Sequence, residues 1–142
     1  MLAFSWMVKL KRAYEPAVRG DGYRVLVERL WPRGIRKEAL ALDEWRKEVA
    51  PSGALRKWFH HDPERWAEFK LRYLKELKET AASEQLHALA ERAAGRTLTL
   101  IFSSHDSEHN NAVVLKGQIE RLAGRRAPRV RTTAAVRARS TK

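Results

Sequence analysis

The chain has 142 residues, of which 44% are hydrophobic and 32% are charged. These values predict one ordinary globular domain with a single core. The sequence contains no cysteine, which excludes a disulfide framework and a thiolate metal site and fits a reducing compartment, so we expect a cytoplasmic protein. The most apolar N-terminal stretch, residues 2–8, lacks the basic residues that open a signal peptide, and we expect no membrane segment.

The net charge of +12 is distributed unevenly along the chain. Seven of these charges lie in residues 124–142, which contain no acidic residue, so five remain on the rest of the protein. The composition predicts a folded domain over residues 7–123 and a disordered, arginine-rich tail over residues 124–142. This tail has no aromatic residue to stack on a base, and no helix-turn-helix pattern is present. It therefore supports only weak, non-specific nucleic-acid binding.

The first part of the chain predicts two strands, residues 8–11 and residues 23–30. Residues 20–22, Gly-Asp-Gly, form a turn signal between them. Alternation along the second strand places apolar residues on both faces and charged residues toward its end, at Glu28 and Arg29. The charged residues at this strand end are candidates for a functional role.

Helical spacing of apolar residues predicts a helix over residues 42–50, which Asp43 begins and Pro51 ends. Further helices are predicted from capping residues and from apolar stripes. Three of them begin at the caps Ser52, Asp62 and Ser107, and another ends at Gly95. The helix after Asp62 carries an aromatic stripe, Trp66, Phe69 and Tyr73, which is typical of a core face.

The third predicted strand covers residues 97–103 and is nearly continuous in bulky β-forming residues, as expected for a strand covered by helices on both faces. Strands separated by helices imply parallel pairing with right-handed crossovers. The expected fold class is therefore α/β. We predict a small single domain with a mostly parallel sheet of at least three strands, flanked by helices and followed by a disordered basic C-terminal tail.

Polar side chains follow the second and third predicted strands, at the edge where parallel α/β sheets bind ligands. The ligand-binding candidates are Arg29, Trp31, Arg33 and Asn111. If the two strands are neighbours, the segments that follow them converge. Guanidinium groups beside helix N-terminal amides suit a phosphate or a carboxylate. In the alternative interpretation, Arg29 is paired internally and only ties a loop to the sheet.

Asp106, His109 and Asn110 are spaced i, i+3 and i+4 and would share one face of a first helical turn. They are the catalytic candidates, because a histidine ordinarily exchanges a proton near neutral pH, Asp106 could orient His109, and Asn110 could donate to developing negative charge. The alternative is a capping network, in which Asp106 or Ser107 accepts helix amides and His109 is solvated.

Two histidine clusters imitate a metal site, His105 with His109 and His60 with His61. Neither supplies a complete ligand set, so no metal site is predicted. The Walker, G-x-G-x-x-G and G-x-S-x-G motifs are missing, which removes the usual support for nucleotide-triphosphate hydrolysis, dinucleotide binding and esterase chemistry. The sequence implies no particular cofactor.

Four segments carry a resemblance to a known family. They are residues 23–34 (YRVLVERLWPRG), 55–59 (LRKWF), 61–66 (HDPERW) and 108–115 (EHNNAVVL). In order and spacing they resemble the YeaO-like family, domain of unknown function 488. The resemblance implies a bacterial-type α/β domain of uncharacterised activity, sometimes described as a transcriptional regulator. The positions that match its motif are Arg29, Trp31, Arg33, Asp106, His109 and Asn110. In two departures from the pattern, His60 replaces the usual glycine and His105 replaces the usual arginine or lysine.

The leading hypothesis is a domain that binds a small anionic or phosphorylated ligand, with turnover left open. Arg29 and Arg33 would be its anchors, and Asp106 with His109 the potential acid/base pair. One alternative is a nucleic-acid-associated or transcription-regulatory protein that uses the basic tail. Another is a non-catalytic partner-binding domain. The oligomeric state stays open.

Overall fold

The strands of a computed structural model, which describes residues 7–126, are β1 (Met7–Arg12), β2 (Tyr23–Leu26), β3 (Glu44–Trp45) and β4 (Thr97–Phe102). They form one parallel sheet in the order β1-β4-β2-β3. The predicted parallel α/β sheet and its three predicted strands are thus confirmed. Because β2 and β4 are neighbours, the segments that follow them leave the same edge of the sheet.

The helices are α1 (Lys37–Leu40), α2 (Gly53–Phe59), α3 (Trp66–Glu76), α4 (Thr80–Ala93) and α5 (Asn111–Arg126). Short 3-10 turns lie at Arg19–Asp21, Lys47–Val49 and Pro63–Arg65. Two predicted caps are confirmed: the Ser52 hydroxyl accepts from the Leu55 amide at 3.1 Å, and the Asp62 carboxylate accepts from the Glu64 amide at 3.0 Å. Within residues 7–126, no helix is long and apolar enough to cross a bilayer.

The predicted helix over residues 42–50 is wrong. Its first half is β3, and its second half is the 3-10 turn Lys47–Val49. The Asp43 amide donates to the Arg24 carbonyl at 2.9 Å, and the Asp43 carboxylate accepts from the Arg24 amide at 2.8 Å. The backbone of the first half therefore bonds to a neighbouring strand instead of forming a helical turn, and tertiary pairing overrides the local helical spacing.

The predicted second strand is also too long, since β2 ends at Leu26. The Val27 carbonyl accepts from the Asn111 side-chain amide at 2.7 Å, and the Glu28 carbonyl accepts from the Trp45 indole at 2.6 Å. Side chains thus satisfy the carbonyls that a longer strand would pair. The chain leaves the sheet at this point and becomes one wall of the site described below.

The main core lies between one face of the sheet and helices α2 to α5. A smaller cluster covers the other face, where Leu26 and Ile101 pack against Leu40 of α1 and against the loop that carries Trp31 and Ile35. The central strand β4 is buried on both faces, as its apolar run predicts, with only Thr97 partly accessible. Helix α5 continues to Arg126 and so includes the first residues of the predicted tail; residues 127–142 lie outside the described residues.

His60 ends α2 in the left-handed conformation, with φ 47° and ψ 40°. Glycine adopts this conformation without strain, whereas other residues do not. We therefore expect His60→Gly to raise the free energy of unfolding by about 0.5 to 1 kcal/mol. Urea denaturation measures the change.

His87→Gly is the matched control, because His87 is an exposed histidine inside α4. That substitution should lower the free energy of unfolding by about 1 kcal/mol, the ordinary effect of glycine in a helix. If His60→Gly and His87→Gly lower the free energy of unfolding by the same amount, the left-handed conformation of His60 carries no strain.

Candidate ligand-binding site

A cavity of about 590 Å³ lies where β2 and β4 end. The segment after β2 contributes Glu28, Leu30, Trp31, Pro32 and Arg33 to its lining. The segment after β4 contributes Ser103, Ser104, His105, Asp106, His109, Asn110 and Asn111. The remaining lining residues come from loops and helices outside these segments and are Tyr14, Pro51, Arg56, Phe59, His61 and Phe69. All predicted site residues except Arg29 therefore line one cavity.

Arg29 is not among the residues that line this cavity. Its guanidinium donates to the carbonyls of Pro51 at 2.9 Å and Ala50 at 3.4 Å. These contacts fasten the segment before α2 to the end of β2. Arg29 thus ties a loop to the strand end, as the alternative interpretation has it, but its partners are backbone carbonyls and not a carboxylate.

Asp106 and His109 form a hydrogen-bonded pair. The carboxylate of Asp106 lies 2.9 Å from His109 Nδ1, and it also accepts from the amides of Glu108 at 2.9 Å and His109 at 3.0 Å. The Glu108 amide and the His109 ring together hold the pKa of Asp106 below its ordinary value. An ionised Asp106 fixes the proton of a neutral His109 on Nδ1, which leaves Nε2 as the acceptor nitrogen.

The local structure around this pair differs from the predicted helical turn. Ser107 is not the cap of α5, because the helix begins at Asn111 and Asn110 Oδ1 accepts from the Val113 amide at 3.1 Å. Asp106, His109 and Asn110 lie in the loop before the helix. Their side chains bond to nearby backbone amides and carbonyls, which favours a turn over an earlier helix start.

Asn110 and Asn111 are buried, and each is held by backbone contacts. The Asn110 side-chain amide donates to the Asp106 carbonyl at 2.8 Å. The Asn111 side-chain amide donates to the Val27 carbonyl at 2.7 Å. The two asparagines therefore fix the loop after β4 and join α5 to the end of β2, so that they shape the cavity wall.

Aromatic rings form a large part of the cavity wall. Trp31 is fixed by a 2.7 Å hydrogen bond from its indole to the Ile35 carbonyl. Phe59 stacks on Phe69 with ring centroids 4.4 Å apart. The exposed Tyr14 donates its hydroxyl proton to the Arg33 carbonyl at 3.0 Å, which positions the backbone of Arg33. The lining thus combines rigid apolar surfaces with a few polar groups, as ligand sites usually do.

Glu28 lines the cavity, although the sequence marks it only as a charged residue toward the end of the second predicted strand and the predicted ligand-binding and catalytic residues do not include it. Its Oε2 accepts from the Ser103 amide at 3.1 Å, which links the segments that follow β2 and β4. Burial raises the pKa of Glu28 above its ordinary value, although the Ser103 amide and the charge of Arg56 act in the opposite direction. A half-buried carboxyl group in a cavity is a typical functional group.

Arg33 and Arg56 are the arginines of the lining, and both are exposed. Neither forms an ion pair with a carboxylate among residues 7–126. His61 and His105 lie beside them in the lining. The lining therefore combines two arginines, which form no salt bridge within the described part of the chain, with two carboxyl groups, Glu28 and Asp106, and the charge of Arg56 acts on Glu28.

Members of both histidine clusters line the cavity. Within residues 7–126, no three His, Asp or Glu side chains are grouped closely enough to hold a metal ion. His60 is exposed at the end of α2, whereas His61, His105 and His109 line the cavity.

The fold and the lining define a small parallel α/β domain with one pocket at the carboxyl ends of its strands. The chain belongs to the DUF488 family: residues 7–136 match the family described as "Inactive DUF488-N3 subclade". It is 45% identical to the uncharacterised protein YeaO of Escherichia coli strain K12 over 115 residues, 81% of this chain and 98% of YeaO.

Two mycobacterial proteins are also similar to this chain. They are the uncharacterised proteins Rv3073c of Mycobacterium tuberculosis strain H37Rv and Mb3100c of Mycobacterium bovis. Each is 43% identical over 108 residues, which cover 76% of this chain and 89% of the relative. No solved structure matches the chain significantly. The YeaO-like resemblance is thus confirmed.

Proposed function

We propose that this protein binds a small anionic ligand in the cavity at the carboxyl ends of β2 and β4. The observation that carries the proposal is the pair Arg33 and Arg56, which line the cavity and form no salt bridge with a carboxylate among the described residues. Guanidinium groups bind phosphates and carboxylates through paired hydrogen bonds. The cavity volume of about 590 Å³ lies within the usual range for small-molecule sites.

The primary role that we propose is binding without turnover. The word "inactive" in the family description supports this role. So does the geometry, because Asp106 and Asn110 direct their polar side-chain atoms to neighbouring protein groups. His109 Nε2 would then accept a hydrogen bond from a ligand instead of moving a proton. We place the protein in the cytoplasm, since a chain without cysteine suits a reducing compartment.

The alternative function is nucleic-acid association through the basic C-terminal residues. Residues 127–142 lie outside the described structure, so this function stays a prediction. The affinity for nucleic acid should fall as the salt concentration rises, because contacts between basic side chains and phosphates release counterions. This salt dependence distinguishes the alternative function.

Thermal unfolding with a panel of phosphates, carboxylates and nucleotides tests the proposed function. At about ten times the dissociation constant, a true ligand should raise the melting temperature of the wild type by about 3 to 6 °C. We expect Arg33→Ala and Arg56→Ala each to weaken that ligand by about tenfold, because each removes charge-assisted hydrogen bonds. Titration calorimetry gives the dissociation constants.

Arg36→Ala and Lys57→Ala are the matched controls, since both residues are exposed, cationic and outside the lining. Neither should change the affinity by more than about twofold. If no anion shifts the melting temperature of the wild type, or if the control variants weaken binding as much as the arginine variants, the proposal is wrong.

A further inference from the structure

We propose that the ligand is a purine nucleoside monophosphate with a guanine-type edge, whose N1–H and 2-amino groups bind Glu28 while its phosphate binds Arg33 and Arg56. This inference rests on the proposed function and specifies the ligand class of the same cavity. It is carried by the placement of an acceptor, aromatic walls and cationic groups within one cavity lining.

The acceptor is the carboxyl group of Glu28. Only Oε2 receives a hydrogen bond from the described residues, and its donor is the Ser103 amide. Oε1 receives none among residues 7–126, although the side chain is half-buried. A carboxylate can accept two or more hydrogen bonds on each oxygen. Glu28 therefore retains capacity for two adjacent N–H donors, which the N1–H and 2-amino groups of guanine present side by side.

The walls suit a planar ring. Tyr14, Trp31, Phe59 and Phe69 all contribute aromatic surface to the lining. Proteins recognise unpaired bases by stacking them on such rings and by hydrogen bonding to their Watson–Crick edges. Trp31 and Phe59 are held in place by the Ile35 carbonyl and by the Phe69 ring, so these surfaces exist before a ligand binds.

The cationic groups suit the phosphate. Arg33 and Arg56 are exposed, whereas Glu28 is half-buried, so the cationic groups of the lining are more accessible to solvent than the acceptor. A ligand with N–H donors at one end and an anion at the other matches this polarity. The reverse orientation would place the phosphate against the Glu28 carboxylate, where like charges repel.

The test compares GMP, AMP and inorganic phosphate on the full-length wild type and on Glu28→Gln by titration calorimetry. Glutamine keeps an oxygen for the Ser103 amide but replaces the other acceptor with an N–H₂ donor. We expect GMP to bind the wild type at least tenfold more tightly than AMP or phosphate, and Glu28→Gln to weaken GMP about 10- to 100-fold. The affinities for AMP and for phosphate should differ less than threefold between the wild type and Glu28→Gln.

Glu48→Gln is the matched control, because Glu48 is exposed and outside the lining. It should leave every affinity unchanged, and the melting temperature of Glu28→Gln without ligand verifies that this variant is folded. Equal affinity of the wild type for GMP, AMP and phosphate would overturn the inference about the base while leaving the anion site intact. Unaltered GMP affinity in Glu28→Gln would also overturn the inference about the base and leave the anion site intact. Failure of all three anions to bind would overturn both proposals.

Discussion

Asp21→Asn is expected to lower the free energy of unfolding by about 3 to 5 kcal/mol at pH 7, because it removes one partner of a buried ion network. Asp21 is 0% exposed, and its carboxylate accepts from Lys11 Nζ at 3.0 Å and from an Arg24 amino group at 2.7 Å. The amide of Val18 donates to the same carboxylate at 3.0 Å. Asparagine would leave the buried Arg24 without its counter-charge, and urea denaturation measures the loss.

The control for this prediction is Glu68→Gln, which removes the acidic partner of an exposed ion pair. Arg72 Nε lies 2.8 Å from the Glu68 carboxylate, and both side chains are about half exposed. Exposed pairs of this kind contribute about 0.3 to 0.5 kcal/mol. If Asp21→Asn and Glu68→Gln lower the free energy of unfolding by similar amounts, the Asp21 network stabilises the protein no more than an exposed ion pair does.

The pH dependence of stability provides a second measurement of the same network. Burial alone would raise the pKa of Asp21, but the hydrogen bonds from Val18, Lys11 and Arg24 outweigh it and hold the pKa below its ordinary value of 3.8. A carboxyl group with a lowered folded-state pKa stabilises the protein above its unfolded-state pKa and loses that contribution as the pH falls through the folded-state value. The wild type should therefore lose stability below about pH 4, and Asp21→Asn should lack this part of the acid dependence.

Helices α2 to α5 and three of the four described strands could be predicted because their signals are local, whereas the short helix α1 was not predicted. The Ser52 and Asp62 caps act on amides two or three residues away, and the apolar run of β4 predicts burial from its own composition. The strand β3 could not be predicted in this way. Only two residues pair with β2, and the hydrogen bonds that hold this segment come from Arg24 and Leu26, nearly twenty residues earlier in the chain.

The candidate site was partly predictable for a topological reason. Parallel strands place their carboxyl ends at one edge, so the adjacency of β2 and β4 brings Trp31 and Arg33 to the same cavity as His109. After the end of β2, strand alternation no longer predicts the direction in which each side chain points. Arg29 and Glu28 are consecutive, yet Glu28 lines the cavity and Arg29 bonds to the segment before α2.

Arg56 illustrates a different gap in the sequence-based prediction. On α2 it is an exposed residue beside the apolar stripe of Leu55 and Phe59, a position that resembles any solvated helix surface. Its place in the lining depends on how α2 packs against the sheet edge, which no local pattern encodes. Phe59 was predictable as a core residue for the opposite reason, since its burial follows from helical spacing.

Gly22→Ala is expected to lower the free energy of unfolding by about 3 kcal/mol or more, since it adds a backbone clash to conformational strain. Gly22 has φ 63° and ψ −130°, a region that residues with a side chain rarely adopt. A Cβ atom at this position would lie 2.5 Å from the Thr97 carbonyl oxygen and 2.8 Å from Thr97 Cβ. Because Gly22 precedes β2 and Thr97 opens β4, relief of the clash would separate the two strands at their beginnings.

Gly34→Ala separates the clash from the strain. Gly34 also has a positive φ, 79°, but a Cβ atom built there meets no atom within 4 Å among the described residues. We therefore expect Gly34→Ala to lower the free energy of unfolding by only about 1 kcal/mol, which is the conformational cost alone. Urea denaturation of both variants measures the difference. Equal losses would mean that β2 and β4 move apart without cost, and the close approach of Gly22 to Thr97 would then not fix the pairing that brings the site segments together.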